Sequence, residues 1–88
     1  MNNWYIISSN HLDYAEDEYK LFVLYDRNQN CQAYLSYVHK SGYWYIDRYD
    51  SVINNFLPSE LLEAKFSTLD DALLHLIKIK DWLNENQL

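Results

Sequence analysis

The stretch from Cys31 to Tyr49, CQAYLSYVHKSGYWYIDRY, constrains the fold of this chain more than any other. Most of its side chains are β-branched, aromatic or small, and residues of these kinds favour β-strands. The only glycine of the chain, Gly42, follows Lys40 and Ser41 near the middle of the stretch. Because glycine adopts the backbone conformations that tight turns require, the pattern predicts two antiparallel strands joined by a tight turn.

The second strand of this hairpin carries a row of tyrosines. Successive side chains of a strand point to opposite faces of the sheet, so every second residue lies on the same face. Three tyrosines and an aspartate on one face are too polar for the floor of a small core. We therefore expect this row to meet solvent or another macromolecule. One face receives Tyr43, Tyr45, Asp47 and Tyr49, and the other receives Trp44 and Ile46.

Two further strands are expected before this hairpin. Residues 4–8, WYIIS, are extended and apolar, and residues 9–17 form a polar connection. Residues 19–25, YKLFVLY, carry apolar side chains on both faces, which is typical of a central strand. The turn-forming residues 26–30 then lead into the strand that begins at Cys31. Consecutive hairpins of this kind predict a four-stranded antiparallel meander.

The C-terminal third of the chain predicts helical structure. Pro58 and the following Ser59 indicate a break and then a short helical segment. A longer helix is expected over residues 68–86, with Ser67 or Thr68 as its N-cap. The predicted fold class is therefore α+β, with the C-terminal helix packed on one face of the sheet and a short helical segment before it.

The apolar side chains of this helix form one stripe at about 100° of rotation per residue. We expect the stripe to cover the sheet face that carries Trp44 and Ile46. Leu74 and Trp82 lie off the stripe. Two interpretations are open for them: contact with residues 52–64, which we favour, or exposure at an interface. The stripe contains Leu69, Ala72, Leu73, Leu76, Ile79 and Leu83.

Length and composition describe one small domain, residues 1–88. Hydrophobic residues make up 49% of the chain and aromatic residues 17%, which is enough for a core. A single cysteine, Cys31, rules out an intramolecular disulfide and a cysteine-based zinc site. No segment approaches the roughly 18 consecutive apolar residues of a membrane span, and residues 1–10 lack the basic region of a secretory signal. We expect a cytoplasmic protein.

The chain is acidic, with 7 Lys and Arg residues, 13 Asp and Glu residues and a net charge of −6. Free nucleic acids and anionic membranes are polyanions, so neither is expected as a partner, whereas a basic protein surface is. The alternative is that the charge only keeps the protein soluble. The densest acidic run predicts either a solvated loop or a contact for basic residues of a partner. It contains Asp13, Glu16, Asp17 and Glu18.

The sequence shows no catalytic or metal-binding pattern. The three histidines lie in three different elements without metal-ligand spacing, and one glycine cannot form a phosphate-binding loop. Asp47 could pair with Asp50 as a second carboxylate, but an ordinary edge salt bridge that involves Arg48 is the interpretation we favour. We therefore expect no enzymatic activity, no cofactor and no metal.

The tyrosines are the remaining functional signal, because tyrosine is enriched at protein interfaces. We predict that the sheet face opposite the helix binds a protein partner and that the acidic run, residues 13–18, flanks it. The alternative is that the tyrosines only cover the exposed side of a one-layer sheet. The oligomeric state of the protein is open at this point. The predicted contact residues are Tyr34, Tyr43, Tyr45, Asp47 and Tyr49, with Asp13, Glu16, Asp17 and Glu18 beside them.

Residues 4–14, WYIISSNHLDY, resemble the start of a small phage anti-CRISPR protein family that inhibits the type I-F surveillance complex. The family shares a Ser-x-x-His-Leu-x-Tyr pattern, a strand that ends in Val-Tyr and an acidic residue, and an aromatic-Asp-Ser-Thr helix start. The corresponding residues here are Ser8, His11, Leu12 and Tyr14, then Leu24, Tyr25 and Asp26, then Phe66, Ser67 and Thr68.

The resemblance implies a four-stranded antiparallel sheet with helices and a non-enzymatic inhibitor in the cytoplasm of a host bacterial cell. Such an inhibitor binds the Cas backbone subunits that carry the crRNA and blocks the access of target DNA. It also implies that Tyr25 contacts the partner. Two family contact residues differ, because Ile6 replaces a tyrosine and the glutamate of the family falls near Ser36.

A second class of protein fits the same composition. An immunity protein that neutralises a toxin nuclease by direct binding would also be small, acidic and rich in tyrosine. Phage genes beside the gene for this chain would favour the anti-CRISPR interpretation. A toxin gene upstream would favour the immunity protein.

Overall fold

The computed structural model describes residues 3–13, 17–48 and 51–88, with no description of the side chains of His11, Asp13, Ser51 and Val52. Within these ranges the chain forms a five-stranded sheet and two α-helices, with a single 3-10 turn at Ser59–Leu61. The elements are β1 (Tyr5–Asp13), β2 (Glu18–Tyr25), β3 (Cys31–Val38), β4 (Tyr43–Arg48), α1 (Ser51–Phe56), β5 (Lys65–Phe66) and α2 (Leu69–Glu85).

The five strands form a meander in the order β1-β2-β3-β4-β5, and every neighbouring pair is antiparallel. The predicted α+β class, the antiparallel sheet and the C-terminal helix are therefore confirmed. The predicted number of four strands is wrong, because Lys65 and Phe66 pair with Tyr45 and Trp44 as a fifth strand. A strand of two residues is too short to show the alternation by which a sequence reveals a strand.

The first strand is longer than its sequence suggests. Residues 9–13 were expected in a polar connection, yet β1 runs to Asp13 with an irregularity between Ser8 and His11. An edge strand can carry polar side chains because solvent reaches it. A polar sequence at the edge of a sheet therefore does not distinguish a strand from a loop. The acidic run is therefore not one loop: Asp13 and Glu18 are opposed on paired strands, and Asp17, with φ 52°, lies in the turn.

The C-terminal helix covers one face of the sheet, the inner face. The Thr68 hydroxyl caps α2 by accepting a hydrogen bond from the Asp71 amide at 3.1 Å, which satisfies a free backbone donor of the first turn. The buried side chains of α2 share a single core with inner-face residues of the sheet and with residues from α1 and the 3-10 turn. On the inner face this core includes Leu24, Ala33, Leu35 and Ile46, and on α2 it includes Ala72, Leu76, Ile79 and Leu83.

The two residues off the helical stripe behave differently. Trp82 is partly buried and lines a groove with Pro58 and Leu61, as predicted for contact with residues 52–64. Leu74 is 52% exposed, so the prediction that it also packs on that segment is wrong. In the described part of the chain, no helix combines the length and apolar character of a membrane span.

Candidate partner-binding face

The hairpin of β3 and β4 sets which side chains share a face. Gly42 has a φ of 73°, and its amide donates to the Val38 carbonyl at 3.0 Å to close the turn. Residues directly opposite each other on paired antiparallel strands point to the same side of the sheet. Leu35 opposes Ile46 on the inner face, and the alternate positions lie on the other side. There Tyr34 opposes Asp47, Ser36 opposes Tyr45 and Val38 opposes Tyr43.

Strands β1, β2 and β5 extend this second side, which we call the open face. The rings of Tyr5 and Tyr25 stack with their centroids 5.3 Å apart and an interplanar angle of 16°. Ile7, which is 49% exposed, lies opposite Val23. The open face consists of Tyr5, Ile7, Glu18, Lys20, Val23, Tyr25, Tyr34, Ser36, Val38, Tyr43, Tyr45, Asp47 and Lys65. The helices of the described chain bury their side chains on the inner face instead.

Most of the predicted contact residues with described side chains come together on this face. Asp17 lies in the β1–β2 turn beside it, and the backbone of Asp13 lies in β1. The predicted contacts Glu16 and Tyr49 lie outside the described residues. Those brought together are Tyr25, Tyr34, Tyr43, Tyr45, Asp47 and Glu18.

Several members of the open face were not predicted from the sequence, among them two from β1 and two lysines. Tyr5 and Ile7 alternate with Ile6 in β1, and this alternation was available in the sequence. Lys20 and Lys65 carried no such signal, because a lysine in a strand is not distinguished from any other solvated lysine until the register of the sheet is known.

Both lysines lie over tyrosine rings. Lys20 Nζ is 4.4 Å from the centroid of Tyr34, and Lys65 Nζ is 4.1 Å from the centroid of Tyr43. A cation over an aromatic ring contributes about 0.5–1 kcal/mol at an exposed site. These contacts restrict the two rings, so part of the aromatic surface is ordered before any partner arrives.

Two acidic residues of the open face, Glu18 and Asp47, affect each other electrostatically. Ser36 is fully buried there, and its hydroxyl donates to Asp47 Oδ2 at 3.4 Å. Burial raises the pKa of Asp47, and the charge of Glu18 and a hydrogen bond to Glu18 raise it further; hydrogen bonds from Ser36 and Tyr34 act against the rise. The Oε1 atom of Glu18 is buried and accepts no hydrogen bond from the described residues.

Arg48 forms no salt bridge with Asp47, and Asp50, the other carboxylate considered for the predicted edge salt bridge, lies outside the described residues. Arg48 follows Asp47 in β4 and therefore points to the opposite face, where its Nη2 donates to the Leu61 carbonyl at 2.9 Å. Burial lowers the pKa of Arg48, and the charge of Asp47 opposes that change. Alternation along the strand separates the two side chains.

The described residues include no group of three or more His, Cys, Asp and Glu side chains that could hold a metal ion. His75 is buried in α2, where Nε2 donates to the Leu61 carbonyl at 3.1 Å and the ring lies 4.9 Å from the Phe66 ring. These contacts give His75 a structural role in joining α2 to the segment before it.

No protein-family model, curated protein or solved structure matches this chain.

Proposed function

We propose that this protein is a non-enzymatic inhibitor that binds a basic surface of a host protein or ribonucleoprotein complex through its open face. The observation that carries the proposal is the concentration of tyrosines on the face that neither described helix covers. Tyrosine provides a large contact area at a low cost in conformational entropy and is enriched among the residues that dominate binding.

Charge supports a basic partner. The net charge of −6 attracts a basic surface over long distances and repels free nucleic acid. Association should therefore slow as the salt concentration rises, whereas the aromatic contacts should set the lifetime of the complex.

The specific target that we propose is a type I-F CRISPR surveillance complex, by resemblance of residues 4–14 to the anti-CRISPR family. In this proposal the open face contacts the Cas subunits around the crRNA, and bound inhibitor prevents target DNA from binding. An inhibitor of this kind acts by occupancy, so it needs neither a metal nor turnover.

The test is a titration of purified crRNA-loaded type I-F complex with this protein, with target DNA binding as the readout. We expect inhibition to reach a sharp one-to-one end point, and loss of DNA binding at a substoichiometric dose would contradict a non-enzymatic mechanism. Tyr43→Ala, Tyr45→Ala and Tyr49→Ala should each be measured for affinity and melting temperature. We expect Tyr45→Ala to weaken binding by more than about 1 kcal/mol with the fold intact.

An outcome in which all three variants bind and melt like the parent would exclude the open face as the interface. The acidic run at residues 13–18 would then be the better candidate. The matched control is Leu74→Ala, because Leu74 is exposed on α2, away from the open face.

An immunity protein that neutralises a toxin nuclease is the second candidate. It is favoured by the acidic charge, because nucleases present basic surfaces to their nucleic acid substrates. Failure to bind the surveillance complex, together with a toxin gene upstream, would support it.

A further inference from the structure

The first strand, β1, has one edge that no described element pairs with, because it lies at the end of the order β1-β2-β3-β4-β5. The Asn84 side chain of α2 closes this edge at a single residue, Trp4. Its amide oxygen accepts from the Trp4 N–H at 2.8 Å, and its amide nitrogen donates to the Trp4 carbonyl at 3.0 Å. A carboxamide has the donor and the acceptor of a peptide group, so Asn84 takes the place of a neighbouring strand here.

The contact at Trp4 also shows which backbone groups of β1 point outward. Along a paired antiparallel strand, these groups point alternately to the two sides. Those of Ile6 and Ser8 therefore point outward, like those of Trp4. The groups of Tyr5 and Ile7 point toward β2. The ladder becomes irregular between Ser8 and the residues that follow it, so the regular open edge comprises residues 5–8.

This open edge lacks the features that prevent association between sheet edges. Natural proteins protect an exposed edge strand with lysine, proline, other charged residues or a bulge. Residues 5–8 contain no charged residue and no proline, and the irregularity of β1 begins only after Ser8. Residues 22–25, which pair with them in β2, are uncharged as well. In a chain with 23% charged residues, this edge gives no attraction to a basic partner and no local repulsion to a second copy.

We propose that two copies of this chain pair through β1, antiparallel and about a two-fold axis at Ile7, so that their sheets become continuous. Outward-pointing residues of antiparallel strands pair with each other, so Ile6 of each copy exchanges hydrogen bonds with Ser8 of the other. The two Ile7 residues then lie directly opposite each other, in the type of pair that brings side chains closest. Ile7 is 49% exposed in the single chain, and its copy covers this apolar surface.

The register follows from the two ends of the open edge. Pairing centred on Ile6 would bring Ser8 against Trp4 of the second copy, where Asn84 already occupies the edge. Pairing centred on Ser8 would bring Ile6 against the irregular part of the second copy. Only a centre at Ile7 uses both outward-pointing residues of each copy. The inference goes beyond the proposed function and does not depend on it, because this pairing leaves the tyrosines of β3 and β4 uncovered.

The test is the association state of the full chain, measured by sedimentation equilibrium over about a thousandfold range of protein concentration. We expect a monomer–dimer equilibrium that added salt strengthens, because salt screens the repulsion between two chains of net charge −6. Ile7→Lys should raise the dissociation constant by at least about tenfold, because it places like charges opposite each other at the axis.

The matched control is Leu74→Lys, which adds the same charge at a residue of similar exposure, 52%, on α2. We expect this variant to dimerise like the parent. A parent that stays monomeric over the whole range would overturn the inference, and so would equal dimerisation by Ile7→Lys and Leu74→Lys.

Amide hydrogen exchange tests the same pairing in the parent chain, without any substitution. The Ile6 and Ser8 amides point outward, so their exchange should slow by at least about tenfold as the protein concentration rises. The Tyr5 and Ile7 amides bond β2 and should be protected at every concentration. Protection of Ile6 and Ser8 that is independent of concentration would contradict the dimer. Protection that appears only on addition of the surveillance complex would assign the edge to that partner and overturn the inference.

Discussion

Both faces of the sheet carry large side chains, but the chemical surroundings of these side chains differ between the faces. On the inner face Leu24, Leu35 and Ile46 are at most 1% exposed and belong to one hydrophobic core with side chains of α2. On the open face Tyr34 and Tyr43 lie beneath lysines, and Asp47 bonds Ser36. Successive residues of β4 alternate between these two environments.

Burial alone does not separate the faces. Ser36 is fully buried although it lies on the open face, because larger side chains from neighbouring strands enclose it. The two faces differ in which part of the protein covers their side chains. A helix covers the inner face, whereas the side chains of the open face cover one another, so that face presents an ordered surface rather than a loose one.

The largest expected effect distinguishes core from surface on α2. Leu76 is fully buried, and Leu76→Ala should reduce the free energy of unfolding by about 2–5 kcal/mol, the usual range for truncation of a buried leucine. Leu74→Ala, on the same helix at 52% exposure, should change it by less than about 0.5 kcal/mol. Urea denaturation measures both. A loss below about 0.5 kcal/mol for Leu76→Ala would show that the stripe is not core.

The next effect compares adjacent residues of β4 on opposite faces. Trp44 packs against the core and lies 4.6 Å from the Tyr37 ring, so Trp44→Ala should cost about 3 kcal/mol, near the lower end of the range for aromatic truncation. Tyr45→Ala should cost about 1 kcal/mol or less, because the two described helices pack on the other face of the sheet. If Tyr45→Ala melts as early as Trp44→Ala, the assignment of the two faces is inverted.

A smaller effect tests the cap that starts the covering helix. Thr68→Ala removes the hydroxyl that accepts from the Asp71 amide and should cost about 1 kcal/mol. Ser67→Ala, one residue earlier, is the control, because Thr68 and not Ser67 provides the cap. Thermal unfolding of the two variants should therefore differ, and equal melting temperatures would argue that Thr68 does not cap α2.

The smallest expected effect is on the pH dependence of the free energy of unfolding, to which Asp47 and Asp26 should contribute with opposite signs. The pKa of Asp47 is raised above its ordinary 3.8, so the native state binds a proton that the unfolded chain has released. Asp47 should therefore lower stability as pH rises from 3.8 to its native pKa. Asn at this position removes that loss, so the stability of Asp47→Asn relative to the parent should increase over the same window.

Asp26 provides the contrast in the β2–β3 turn. Burial alone would raise its pKa, but hydrogen bonds from the Asn30 and Asn28 amides and the Gln32 side chain bring it below 3.8. The stability from Asp26 is present above 3.8 and is lost as pH falls through its native pKa. The deficit of Asp26→Asn should therefore shrink in acid. Urea denaturation between about pH 3 and 7 measures both trends, and slopes of the same sign would contradict the two environments.

The sequence by itself determined the elements whose signals are local. The hairpin around Gly42, the apolar stripe of α2 and a cap at Ser67 or Thr68 each depend on residues within a few positions of one another, and the structure selects Thr68. The alternation in β4 likewise predicted that Tyr43, Tyr45 and Asp47 would share a face and that Ile46 would be buried on the other. Periodicity and capping chemistry are properties of a short segment, so they can be read before the chain folds.

Only the tertiary structure decided which distant residues meet. The fifth strand forms because Phe66 pairs with Trp44 and Lys65 pairs with Tyr45. A segment of two residues has no sequence pattern that would predict this pairing. Glu18 raises the pKa of Asp47 although the two residues lie on β2 and β4, which are not neighbours in the sheet. Such contacts depend on the register between strands far apart in sequence, and register is set by how the whole core packs rather than by the residues on either strand.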